Sequence, residues 1–248
     1  MLHIKKYIPA PVKLFLQLQK RAVTDFLNGH SKLFCHKKNI RKQLPENLQP
    51  AISIQQQVKV NNSSANKIFN LKLAINSINN IEITPRQIFS FWKLVGCPSE
   101  KNGYKKSRTI INGELEAATG GGLCQLSGLI YFLSIQTGLT ILERHPHSID
   151  IYKDEERFTP LGSDATVAYG YKDCRIKNEY PFPVYFSFML DENALTGIVW
   201  AAENITLQKI SFDYIKHPTF TTVTTINTAK SQPLVITTHK YKLPAKAS

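Results

Sequence analysis

Acidic side chains are scarce in this chain. Eighteen Asp and Glu stand against 31 Lys and Arg among 248 residues, a formal net charge of +13. Cysteine is sparse too, and none of Cys35, Cys97, Cys124 and Cys174 belongs to a CxxC pair. Scattered thiols exclude a dense disulfide framework and a zinc ribbon, so reduced thiols in a cytoplasmic compartment are the expectation. No stretch reaches the roughly 18 apolar residues that a membrane-spanning helix needs. The N-terminus is basic but has neither a continuous apolar core nor a small-residue cleavage site, so no secretory signal is visible. Internal repeats are missing as well. With 42% hydrophobic and 20% charged residues, the composition is that of a folded protein rather than a disordered one.

The excess positive charge sits at the two ends. Residues 1–42 hold ten Lys/Arg against Asp25 alone, and residues 209–248 hold six against Asp213 alone, which leaves the middle nearly neutral. Basic ends suit contact with an anionic membrane surface or polymer, or simply solubility, and no specific nucleic-acid partner is expected. Near the N-terminus Val12, Phe15, Leu16, Ala22, Val23, Phe26 and Leu27 recur at helical spacing, with Lys13, Gln17, Lys20, Arg21 and Thr24 between them. Such a helix either lies on a membrane or packs its stripe on the main domain. The localisation expected is cytoplasmic, with peripheral membrane attachment as the variant.

After a break at Leu44-Pro45-Glu46, residues 64–79 read as a second helix, with Ser63 or Ser64 as its N-cap. An aromatic stretch (Phe89-Ser90-Phe91-Trp92) leads to a loop marked by Gly96, Pro98 and Gly103, then to a strand at Arg108–Asn112. A glycine loop and a helix from Leu123 to Thr137, ended by Gly138, follow. Beyond it, residues 139–152, 164–177, 182–190, 195–202 and 205–215 are rich in Val, Ile, Tyr, Phe and Thr, with a hairpin turn at Asp191-Glu192-Asn193. Helices first and antiparallel strands afterwards make an α+β fold. The expected parts are a basic amphipathic segment (1–43), an α+β domain (44–215) and a basic, Thr-rich tail (216–248) with strand-like alternation from Thr219 that then frays.

Chemistry concentrates at Thr119-Gly120-Gly121-Gly122-Leu123-Cys124-Gln125-Leu126-Ser127. Three glycines permit a tight turn, and Cys124 falls in the first helical turn, where unpaired N–H groups and the helix dipole favour a thiolate. Downstream lies Glu143-Arg144-His145-Pro146-His147-Ser148, where strand alternation puts Glu143, His145 and His147 on one face. Asp164 opens the next apolar run. Cysteine on a helix start, histidine on a strand and a carboxylate on the next strand is the order of papain-like and transglutaminase-like enzymes. There the imidazole deprotonates the thiol and the carboxylate orients the imidazole. Cys124 is the candidate nucleophile, His147 or His145 the base, and Asp164 or Glu143 the orienting group. Zinc held by Cys124, His145 and His147 is a competing reading supported only by residue type. A phosphate cradle is poorly supported, because the Lys-Ser/Thr ending of a P-loop is missing. No cofactor or metal is assigned. Each candidate also has an ordinary alternative: a buried thiol, satisfied histidines, a turn aspartate.

Taken in order, Phe89–Gly96, Gly103-Tyr104-Lys105, Thr119–Ser127, Glu143–Ser148, Gly162–Val167 and Asp173–Asn178 resemble the VanW family. The likeness spans residues 44 to 200. The family is named for an accessory protein of vancomycin B-type resistance clusters, and relatives with a membrane anchor and extra modules look like cell-envelope proteins. This chain looks like the short form. Cys174 stands where the family pattern suggests an aliphatic residue. The resemblance implies a setting in cell-envelope (peptidoglycan) metabolism or glycopeptide resistance, without fixing a mechanism. Two readings follow: a cysteine-dependent hydrolase or acyltransferase on peptide or amide bonds, with cell-wall precursors as substrate, or a non-catalytic binding or scaffold protein. In either, the candidate ligand surface comprises Gly120, Gly121, Gly122, Gln125, Ser127, Tyr104 and Arg144.

Overall fold

A computed structural model describes residues 8–58, 64–111, 114–150, 157, 159–229 and 232–243. The ends of the basic segment and tail, residues 151–152 of the expected 139–152 strand, and the side chains of Glu114 and Glu116 lie outside the described residues. Four helices form: α1 (Ala10–Leu27), α2 (Ala65–Asn76), α3 (Phe91–Val95) and α4 (Leu123–Gln136). Pro11 sits in the first turn of α1, where its missing N–H removes no helical bond. Gly138, at φ +69°, takes the left-handed position after α4, and Leu139 N–H bonds back to Ser134 O at 3.0 Å. Among the described residues no helix is long and apolar enough to cross a membrane.

The helix α4 is the centre of the molecule. Eleven of its 14 residues are buried, as befits a helix that is apolar nearly all round. It packs on a four-stranded antiparallel sheet ordered β1–β9–β8–β2, with β1 Gln49–Gln57, β2 Ile81–Ile83, β8 Val184–Leu190 and β9 Ala194–Ala201. The approach is close because position 197 carries no side chain. A Cβ on Gly197 would stand 2.8 Å from Leu133 and 3.0 Å from Leu129. Leu126, Leu129, Ile130 and Leu133 are fully buried there, each contributing about 1.5–3 kcal/mol relative to exposure.

Three smaller antiparallel sheets surround this core. Strands β3 (Ile88–Ser90), β7 (Arg175–Lys177) and β6 (Thr140–Glu143) form one, and the hairpin β4 (Lys106–Ile111) and β5 (Glu114–Thr119) another. A meander of β10 (Ile210–Lys216), β11 (Phe220–Asn227) and β12 (Leu234–Lys242) is the third. The fold class is α+β, with every ladder antiparallel.

Three local readings need revision. The helices-first order misses β1, an edge strand with Pro50 near its start and three glutamines at its end, whose partner β9 lies far along the chain. The expected 164–177 strand shrinks to Arg175–Lys177, because Asp164–Val167 bonds to α4 and to the histidine segment instead of to a ladder. The strand-like alternation expected from Thr219 forms β11 and β12 and continues to Lys242 where fraying was expected, with Val223 and Tyr241 buried.

Candidate functional site

The glycine loop places Cys124 through a chain of backbone constraints. Gly120 and Gly122 sit at φ +83° and +99°. A Cβ at Gly120 would meet Pro98 at 2.7 Å, and one at Gly122 would meet Lys67 at 2.6 Å, so glycine is required on both counts. From α2, the fully buried Asn70 bonds Gly121 O (3.1 Å), Lys105 O (2.9 Å) and Lys105 N–H (2.8 Å), clamping the loop to the chain before β4. Cys124 then occupies the second position of α4, half-buried.

The partner segment is held against the same end of the helix. Ser127 Oγ donates to Ala165 O at 2.6 Å, and a Cβ at Gly128 would stand 3.4 Å from Ala165 N and 3.6 Å from Asp164 Cα. Cys124 Sγ lies 3.4 Å from Thr166 Oγ1 and 3.9 Å from Val167 O. His147 acts on the thiol closely enough for each group to shift the other's pKa. Its Nδ1 is 2.7 Å from Asp164 Oδ2, which leaves the other ring nitrogen for sulfur. Asp164 Oδ2 also accepts His147 N–H at 2.7 Å, while Oδ1 accepts Arg144 Nη2 at 2.8 Å and Tyr241 Oη at 2.6 Å. Arg144, with a side chain 2% exposed, further bonds Asp164 O and Gly162 O and lies over the Tyr131 ring.

These contacts separate Cys124 from the other buried thiols. Burial pushes Cys35 up to about 12 and Cys174 higher still, since a thiolate loses its water there. Burial opposes ionisation of Cys124 as well, yet hydrogen bonding and attraction from His147, with help from Thr166, bring its pKa below the ordinary value. For His147 burial disfavours the charged ring, but Asp164 and the thiolate outweigh it and raise the pKa to about 10. Asp164 is also desolvated, and its bonds to His147, Arg144 and Tyr241 still hold it well below the usual carboxylate range. The arrangement favours a thiolate–imidazolium pair backed by a carboxylate.

His145 and Glu143 belong elsewhere. The single-face expectation for Glu143, His145 and His147 fails because β6 ends at Glu143 after a register shift, and Pro146 cannot continue a ladder. Strand alternation therefore stops short of His147. His145 Nε2 lies 2.9 Å from Glu143 Oε1, and Glu143 also accepts Arg21 (2.5 Å), Asp173 N–H (2.9 Å) and an ion pair with Arg175 at 3.3 Å. Burial works against that carboxylate's charge, but these partners bring its pKa down to about 2. Cys124, His145 and His147 thus do not converge on one point, and among the described residues no group of three or more His, Cys, Asp or Glu is set to hold a metal ion.

The residues read as a ligand surface serve mainly as framework. Gln125 is buried and donates to Gln57 O on β1 at 3.0 Å, and Ser127 bonds Ala165 O. Tyr104 is buried, which raises its pKa to about 12. Arg144 is occupied with Asp164. Gly121 is buried, while Gly120 and Gly122 border the half-exposed thiol. Sequence reasoning missed Tyr241, Asn70 and Thr166. Tyr241 lies 77 residues beyond its partner in a segment taken for a tail. Asn70 had a visible signal, since it is a polar residue on the apolar face of α2.

Comparison with known proteins agrees with these motifs. The family model described as "VanW like protein" matches residues 66–200. The Vancomycin B-type resistance protein VanW of Enterococcus faecalis (strain ATCC 700802 / V583) is 35% identical over 136 residues, 55% of this chain and 50% of that protein. The Uncharacterized protein YoaR of Bacillus subtilis (strain 168) is 32% identical over 178 residues, 69% of this chain and 57% of its own length. The chain thus spans little more than half the length of these relatives. No solved structure matches it, so the papain or transglutaminase likeness rests on the order of three groups alone. With a family model covering more than half of its length, and the glycine loop, both histidines and Asp164 inside the match, the chain belongs to the VanW family.

Proposed function

We propose that this protein is a cysteine-dependent hydrolase or acyltransferase acting on peptide or amide bonds, with Cys124 as nucleophile, His147 as acid–base and Asp164 as its orienting partner. The observation that carries this reading is the 2.7 Å bond between His147 Nδ1 and Asp164 Oδ2, beside a thiol whose pKa His147 lowers. In the forward step the Cys124 thiolate attacks a carbonyl carbon. The resulting oxyanion faces first-turn amides of α4, which have no helical acceptor. The imidazolium of His147 gives its proton to the departing amine, leaving a thioester. Water, or an acceptor amine, then attacks that thioester while His147 removes its proton, and the thiolate returns. Arg144 and Tyr241 keep Asp164 ionised and aimed.

The setting proposed for this chemistry is cell-envelope metabolism with a peptide or cell-wall precursor as substrate, and the printed name of the enterococcal relative supports a connection to vancomycin resistance. The test is acyl transfer from p-nitrophenyl acetate. The expected result is a burst of nitrophenolate and an acetyl group located on Cys124 by mass spectrometry. His147→Ala should abolish the burst, a loss of about 10²–10⁴-fold for removal of a general acid–base, while His145→Ala should retain it. Acetylation spread evenly over the four cysteines would refute the proposal. So would a resistance phenotype fully kept by Cys124→Ala, which would favour the binding or scaffold reading.

A further inference from the structure

Helix α1 is docked inside out. The side it turns to the domain carries Arg21 and Asp25. Asp25 pairs with Arg175 at 2.6 Å and is itself buried, and Arg21 pairs with Glu143. Only Leu14 and Leu18 add apolar contact on that side, closing over Gly170, where a Cβ would stand 2.4 Å from Leu14. At 100° per residue, the opposite side carries Val12, Phe15, Leu16, Ala22, Val23, Phe26 and Leu27 in one arc. All are exposed, with Phe15 at 58%, Phe26 at 74% and Leu27 at 76%. Lys13 and Lys20, also exposed, lie along one edge of the arc.

A helix that packed for its own stability would bury this arc and leave its charges outside. Here the buried ion pairs fix its rotation the other way, so the apolar arc is presented outward on a rigid support. A monomer gains nothing from a patch of this kind in water. We infer that the outer face of α1 is a docking surface for an anionic lipid bilayer, the phenylalanines entering the interface while the lysines meet the headgroups. Charge selects this occupant. Residues 1–42 carry ten Lys/Arg, and their single acid, Asp25, is consumed by Arg175. Two such faces would repel each other as copies of this chain, whereas an anionic surface attracts both the apolar and the basic parts. Because Arg21 and Tyr171 O also bond, and Arg21 holds Glu143 just before Arg144, the helix is fixed to the strand end that leads into His147. The surface stands whether or not Cys124 reacts.

The experiment is co-sedimentation of the full chain with vesicles of phosphatidylcholine alone and of phosphatidylcholine mixed with phosphatidylglycerol. Binding is expected only to the anionic vesicles and is expected to weaken with salt. Phe15→Glu and Phe26→Glu should each weaken it at least about tenfold through lost apolar insertion. Lys13→Gln and Lys20→Gln should each weaken it about fivefold. All four positions are exposed, so unfolding midpoints should stay at the wild-type value. Failure to bind anionic vesicles at low salt overturns the inference, as does binding indifferent to Phe15→Glu and Phe26→Glu. Self-association in lipid-free buffer that Phe26→Glu abolishes also overturns it and assigns the face to a second copy.

Discussion

Two histidines just past the end of β6, His145 and His147, each meet a carboxylate, and the two pairs differ in what surrounds them. His147 and Asp164 meet at 2.7 Å with a thiol on the far side of the ring and a buried arginine behind the carboxylate. His145 and Glu143 meet at 2.9 Å with two arginines around the carboxylate and no thiol. The pairs are alike in residue type and length, so the pair itself does not define chemistry. A histidine becomes a base when its second nitrogen faces a group with a proton to exchange. Glu143 is the corner of an ion network that fixes α1 to β6 and β7. Asp164 gives one oxygen to His147 and the other to Arg144 and Tyr241.

The comparison breaks most readily at the carboxylates. Asp164→Asn leaves Arg144, 2% exposed, without its negative partner. A buried charge stranded in this way costs about 3 kcal/mol or more. Glu143→Gln leaves Arg175 with Asp25 and Asp173 at 2.6 and 2.9 Å, so its loss should be about 1 kcal/mol, near that of an ordinary hydrogen bond. Urea midpoints at pH 7, read at constant m, measure both. Equal losses would show that the two carboxylates do the same structural work and would remove the distinction drawn between them.

The histidines sharpen the same contrast through Cys124. A fully ionised thiol has about 30 times the thiolate of one at the reference pKa of about 8.5 when the pH is 7, and the lower basicity of the ionised sulfur reduces that advantage to about threefold. His147→Ala is therefore expected to slow iodoacetamide labelling of Cys124 by about threefold, and His145→Ala to change it less than about twofold. Peptide mapping of the alkylated protein reports the site. Labelling that depends on His145 instead would exchange the roles of the two pairs. Cys35 and Cys174 should stay unlabelled in all variants, because burial raises both thiols far above neutral pH.

How much of this was legible in the sequence varied with the range of the interaction. The α4 helix, its glycine cap and the position of Cys124 in its first turn follow from local spacing and from Gly122 and Gly138. The order Cys124, His147, Asp164 was readable too, but the choice between His145 and His147 was not. That choice depends on where β6 stops, which is set by its pairing with β7 and by Pro146. Tyr241 was invisible because a threonine-rich strand at the chain end gives no sign that one of its tyrosines reaches Asp164. The α1 stripe was seen and its rotation was not. Periodicity gives the amphipathic faces, while Asp25–Arg175, across 150 residues, decides which of them turns inward.

The finest difference between the pairs is which end of the pH scale weakens them. Glu143 has its folded pKa lowered to about 2, so its contribution is present above the unfolded value of about 4.3 and is lost as pH falls toward 2. The His147 ring is shifted upward, to about 10, so its contribution is complete below about 6.5 and is lost as pH rises through 10. Cys124 runs opposite to His147, because its lowered pKa adds stability until the unfolded thiol ionises near 8.5. Those two trends oppose each other up to about pH 8.5, and the decline attributable to the His147 pair alone falls between about 8.5 and 10. Its size should be about 1 kcal/mol, allowing for the partly exposed ring. Urea midpoints of wild type and His147→Gln should therefore converge between pH 8.5 and 10. A wild-type curve flat through that interval would mean that His147 carries no proton for Cys124, and the two pairs would then be chemically equivalent.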